Sequence, residues 1–156
     1  MAASARLLFL CALLSEVAVG EVGDSVWGLK TERGYQTLQV MDEGERIVFD
    51  YQVEAGYFVC RIPGYAVKLP SQEQSETRYV FRNIPENQRW AGRWEGYLPP
   101  LDDESPCEIE LLFGRTVTVK QLGGDCRSFC GARGAPGGTL NKISIPLSAD
   151  EQGSTQ

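Results

Sequence analysis

Cys107-Glu-Ile-Glu-Leu-Leu-Phe-Gly-Arg-Thr-Val-Thr-Val-Lys120 alternates apolar and polar residues on either side of a two-residue break. Cys107, Ile109, Leu111 and Phe113 fall on one face, and Glu108 and Glu110 on the other. After Gly114-Arg115, Val117 and Val119 alternate with Thr116, Thr118 and Lys120. Side chains repeat on one face every second residue only in an extended chain, so the period predicts strands with one buried and one wet face. A two-residue link is that of a tight hairpin.

The same period extends outward. In 46–53, Ile47, Phe49, Tyr51 and Val53 share a face while Asp50 and Gln52 take the solvent side. Shorter runs are 25–31 around Trp27 and Leu29, 36–41 around Leu38 and Val40, and 57–62 with Phe58, Cys60 and Ile62. Others are 77–82 with Tyr79 and Phe81, 92–97 around Trp94, and a closing run at 139–143. Turn residues separate them at Glu43-Gly44, Ala55-Gly56, Pro63-Gly64, Pro70-Ser71, Pro99-Pro100 and Gly137-Gly138. Residues 71–76 and 98–106 read as loops. The expected fold is all-β: a single small antiparallel β-barrel of about eight strands, lipocalin-like or lysozyme-inhibitor-like, with a two-sheet sandwich as the alternative. Closure removes the unpaired edges that an open sheet must protect. Eight inward aromatics, Trp27, Phe49, Tyr51, Phe58, Tyr79, Phe81, Trp94 and Phe113, predict a filled interior rather than a ligand cavity.

The 156 residues suit one domain. Residues 1–20 read as a signal peptide: Arg6 precedes an apolar run from Leu7 to Leu14, and Ala18-Val19-Gly20 supplies small residues for cleavage. The run is too short to span a hydrocarbon core. The barrel is assigned to 21–147 and a disordered tail to 148–156, which lacks large apolar residues. With 15 basic and 21 acidic residues the net charge is −6, which disfavours nucleic acid as a partner. There is no histidine, so Ser-His-Asp and Cys-His catalysis and His-ligated zinc are excluded. Nothing positive suggests an enzyme, a cofactor or a metal site. The glycines at 123–124 and 131–138 lack the strand-to-helix context of a phosphate loop and read as turns.

Cleavage leaves Cys60, Cys107, Cys126 and Cys130, an even number in a chain bound for an oxidising space, which predicts two disulfides. Three pairings are possible. Cys107–Cys126, which follow each other around one hairpin, with Cys60–Cys130, is the favoured one. A second feature is Arg89-Trp90-Ala-Gly-Arg93-Trp94-Glu-Gly-Tyr97. Exposed Trp, Tyr and Arg anchor interfaces, so Trp90, Arg93 and Tyr97, with the acidic loop Asp102, Asp103 and Glu104, are candidate partner-binding residues. The alternative for Trp90 is a lid over one barrel mouth.

From 92 to 143, the order Cys107-Glu-Ile-Glu-Leu-Leu-Phe, Thr116-Val-Thr-Val and Cys126-Arg-Ser-Phe-Cys130-Gly131 resembles small exported bacterial proteins with a C-terminal C-x3-C-G motif. These are similar in build to periplasmic lysozyme inhibitors. The resemblance implies a periplasmic or secreted binding protein whose partner is a cationic cell-wall hydrolase such as lysozyme. A carrier of a small hydrophobic ligand and a structural envelope protein are the other readings.

Overall fold

The computed structural model describes residues 22–73, 75–87, 105–131 and 136–144. Eight antiparallel strands close into a barrel in sequence order: β1 (Ser25–Thr31), β2 (Gly34–Asp42), β3 (Arg46–Ala55), β4 (Phe58–Leu69), β5 (Thr77–Arg82), β6 (Glu108–Phe113), β7 (Thr116–Gly123) and β8 (Gly137–Ile143). Closure runs through β1 and β8, where Val26 stands opposite Ile143. The hairpin read from sequence joins β6 to β7 through Gly114-Arg115. The run at 92–97, the proposed signal peptide and the proposed tail lie outside the described residues.

The barrel has two unlike ends. Short links, 43–45, 70–76 and 114–115, sit at one end, together with the start of β1 and the finish of β8. The two long connections, 83–107 and 124–136, sit at the other. There a helical turn, Arg127–Cys130, is tied twice: Cys130 to Cys60 on β4, and Cys126 to Cys107 just before β6. This is the pairing favoured from the hairpin argument. The Phe129 ring meets Phe81 edge-on with centroids 6.2 Å apart, a contact that the sequence pattern did not foretell.

Inside, Trp27, Phe49, Tyr51, Tyr79, Phe81 and Phe113 are buried. Their rings meet edge to face: Trp27 on Phe113, Tyr79 on Phe113 and Phe49 on Phe81, with centroids 5.4–6.0 Å apart. Each such pair contributes about 0.5–1.5 kcal/mol beyond its buried area. Phe58 differs from expectation: it lies at the strand's first residue and packs against the core only partly buried. Trp94 is outside the described residues.

Two predicted turns are strand instead. β4 runs straight through Pro63-Gly64. The Tyr65 amide and carbonyl point to Asn87, while the Lys68 amide reaches back to the Glu45 carbonyl beside β3, so odd and even positions of β4 face opposite neighbours. Pro63 shares the phase of Tyr65, and its missing N–H therefore costs no bond to β3. Gly64 is needed because a Cβ there would stand 2.6 Å from the Phe81 ring and 2.9 Å from Asn87 Oδ1. Gly137-Gly138 likewise opens β8, since a Cβ on Gly138 would stand 2.5 Å from Gln36 Oε1.

Gln36 is held by the Tyr51 hydroxyl, which donates to its Oε1 at 3.1 Å and accepts from the Gly137 amide at 3.3 Å. Burial pushes the Tyr51 phenol up to about 12. Tyr79 is also pushed up to about 12, by burial first and then by the Asp42 and Glu45 carboxylates. An unfolded tyrosine ionises near pH ~10. Between about pH 10 and 12 the unfolded chain therefore releases protons that the folded one keeps. Stability is undiminished below that window and falls as pH rises through it. Ultraviolet difference absorbance should show these two phenols ionising only together with unfolding; their titration in the folded protein near 10 would contradict this account.

Candidate functional site

On the outer wall of β5 and β6, guanidinium groups hold the carboxylates that the sequence places in solvent. Arg78 pairs with Glu110 and Arg82 with Glu108. Glu110 is buried and Glu108 half-buried, which corrects their reading as freely solvated. The cations come from a neighbouring strand, in register across Arg82↔Glu108 and diagonal for Arg78. Cross-strand pairs of this kind stabilise the sheet.

Asp50 needs the same correction. It keeps the outward face but is only 2% exposed. Arg61 grips it with Nε at 3.1 Å from Oδ1 and Nη2 at 2.8 Å from Oδ2, while Gln52 Nε2 donates to Oδ2 at 2.9 Å. A buried charge with its acceptor sites filled by donors is a structural element of the wall. The hydrogen bond to Asp50 in turn pushes the Arg61 guanidinium upward.

The six candidate partner-binding residues, Trp90, Arg93, Tyr97, Asp102, Asp103 and Glu104, all belong to the 83–107 connection and lie outside the described residues. What the structure places is the base of that connection. The Asn83 amide donates to the Cys107 carbonyl at 2.9 Å, closing the neck beside a disulfide. Asn87 then fills the gap where β4 has outrun β5. Oδ1 accepts from the Tyr65 amide at 2.8 Å, and Nδ2 donates to the Tyr65 and Arg82 carbonyls at 2.9 and 3.0 Å. One side-chain amide thus stands in for a strand residue. The connection leaves and returns at the disulfide-bound end. Exposed apolar side chains share this rim: Tyr57 is fully exposed, Val59 is 62% exposed, and Tyr35 projects from β2. The hydrogen bond between Tyr35 and Glu54 pushes the Tyr35 phenol upward.

Near the opposite end, on the wall, lies a groove of about 380 Å³. Val26 and Val48 form its apolar floor, Met41 and Ile143 rise at its sides, and Asp24 and Lys142 stand at its edge. Val48 is 2% exposed between its cross-strand neighbours Met41 and Tyr65, while Met41 is 49% and Ile143 42% exposed. Sequence reasoning missed this groove. Its signal was the outward phase of Met41, an apolar residue that follows Thr37 and Gln39 on the same face of β2.

These features define a closed, disulfide-linked antiparallel barrel. The chain matches no family model, no curated protein and no solved structure. Among the described residues no helix is long and apolar enough to cross a membrane. Among the same residues no group of three or more His, Cys, Asp or Glu is placed to hold a metal ion.

Proposed function

We propose that this chain is an exported, non-enzymatic protein-binding barrel, most concretely an inhibitor of a cationic cell-wall hydrolase such as lysozyme. The observation that carries the reading is the interior. Six buried aromatic side chains fill it, five of them packed edge to face, so a carrier function in the lumen has little room and the outer surface is left for recognition. Two disulfides suit a chain that works in an oxidising space. They also stiffen the end from which the connection bearing Trp90, Arg93, Tyr97 and Asp102–Glu104 emerges. A recognition segment anchored at both ends loses less freedom on binding than a free one. The charge of −6 steers a basic enzyme toward the barrel.

Titration of the oxidised protein against a panel of lysozymes and amidases tests this. At least one lytic activity should be lost at stoichiometric protein. Trp90→Ala combined with Tyr97→Ala should weaken that inhibition about 30-fold or more, the loss of an interface anchor. Undiminished lysis across the panel at molar excess would overturn the inhibitor reading. A small molecule retained in native mass spectrometry would point to the carrier instead.

A further inference from the structure

The edge of β4 that faces β5 is covered only in part. β5 pairs with it from Val67 to Leu69, and Asn87 covers Tyr65. Toward the hairpin at Gly56-Tyr57, the odd positions Val59, Arg61 and Pro63 turn their main-chain groups the same way, and among the described residues nothing bonds them there. We propose that this open stretch is a docking edge for an extended segment of a protein partner. The segment adds a short strand to β4 by pairing with the Val59 and Arg61 main chain, and sets an apolar side chain beside Val59. This rests on the protein-binding reading but not on the partner's being a hydrolase.

The phase of the strand fixes which groups are open. In an antiparallel ladder, alternate residues bond opposite neighbours. The Lys68 amide reaches the Glu45 carbonyl beside β3, so the even positions Phe58, Cys60 and Ile62 commit their main-chain groups to β3. The N–H and C=O of Val59 and Arg61, and the C=O of Pro63, point away from it. A row of alternating donors and acceptors is matched by another extended backbone. Exposed edges are usually shielded by charge or proline. Pro63 guards one end, but the single charge between Phe58 and Pro63 is Arg61, whose guanidinium is bound to Asp50 on β3. Val59 is 62% exposed, and the Cys60–Cys130 bridge leaves from the buried inner face rather than from the edge. A second copy of the chain fits less well: Pro63 has no N–H to give, and the stretch is far shorter than an interface of about 1,000 Å² needs. Two chains of charge −6 also repel, whereas the same charge favours a segment carrying lysine or arginine.

The probe is acetyl-Lys-Val-Thr-Val-Lys-amide, set against a counterpart N-methylated at its three inner residues, which keeps the side chains and removes the donors. Each is titrated by NMR into the isotopically labelled, oxidised protein. The parent peptide should shift the amides of Val59 and Arg61 and slow their exchange with solvent; the methylated one should bind at least about tenfold more weakly. Val59→Pro removes an edge donor without touching a bond to β3 and should weaken binding about tenfold or more. Val59→Thr keeps the main chain and the branched shape and should bind within about twofold of wild type. The two peptides test the ladder on the wild-type protein, whatever the folding of Val59→Pro. Val59 and Arg61 amides that exchange slowly without peptide would show that the chain covers its own edge, and would overturn the proposal. Equal affinity for the two peptides, or no shift at Val59 and Arg61, would do the same. A hydrolase inhibited while the edge stays silent removes the edge and keeps the inhibitor; peptide binding at Val59 and Arg61 with no hydrolase inhibited does the reverse.

Discussion

Replacing Cys60 and Cys130 together with serine will cost about 4 kcal/mol of folding stability, against about 3 kcal/mol for Cys107 and Cys126. The difference follows from loop length: the first bridge spans 70 residues of sequence and the second 19. A longer tether removes more freedom from the unfolded chain, although the gain grows only with the logarithm of length. The two bridges also hold different things. Cys60–Cys130 bolts the helical turn to β4 where that strand has no β5 beside it, since β4 pairs with β5 only from Val67 to Leu69. Its loss should release Phe129 from Phe81 as well. Urea unfolding of the two double variants reads both losses. An equal cost, or a larger one at Cys107–Cys126, would show that loop length does not govern these cross-links.

Asn87→Ala will destabilise the barrel by about 3 kcal/mol, because it strips partners from the Tyr65 amide and from two carbonyls around a buried side chain. Asn87→Asp separates geometry from chemistry. The shape is kept and the Tyr65 amide still has its acceptor, but a carboxylate now faces the Tyr65 and Arg82 carbonyl oxygens. Burial beside two acceptors favours the protonated acid, so its folded pKa should rise above the unfolded value. The variant should therefore be weakest at neutral pH and recover as pH falls through that raised pKa, opposite in sign to a carboxylate held by an arginine. Denaturant midpoints for wild type and variant across acidic to neutral pH measure this. A constant difference between the two would mean that Asn87 only fills space.

Most strands were legible because one buried face imposes a period of two, which 46–53 and 107–119 carry plainly. The favoured cysteine pairing followed from the same pattern, since a hairpin brings the chain after β7 back beside Cys107. Features that depend on a neighbouring element were not legible. Pro63-Gly64 looks like a turn in isolation; it is strand because Phe81 and Asn87 arrive from elsewhere to occupy the space that Gly64 leaves. Asn87 carries no periodic signal at all. The outward phase of Asp50 and Glu110 was correct, but phase does not show that Arg61 and Arg78 will close over them. The site candidates from Trp90 to Glu104 rested on residue type rather than on a pattern, and the structure places only their two anchoring ends.

Because Val26 stands opposite Ile143, the first and last strands are neighbours, and the chain enters and exits at one pole. A linker or affinity handle joined directly at Val22 or Ser144 thus tethers the molecule from that pole, with the cystine-bound rim turned toward bulk solution. A surface-immobilised sample would present Tyr57 and the two described ends of the long connection while shadowing Met41 and Ile143. Capture that survives this orientation, set beside capture in free solution, would reveal which pole a binding protein grips.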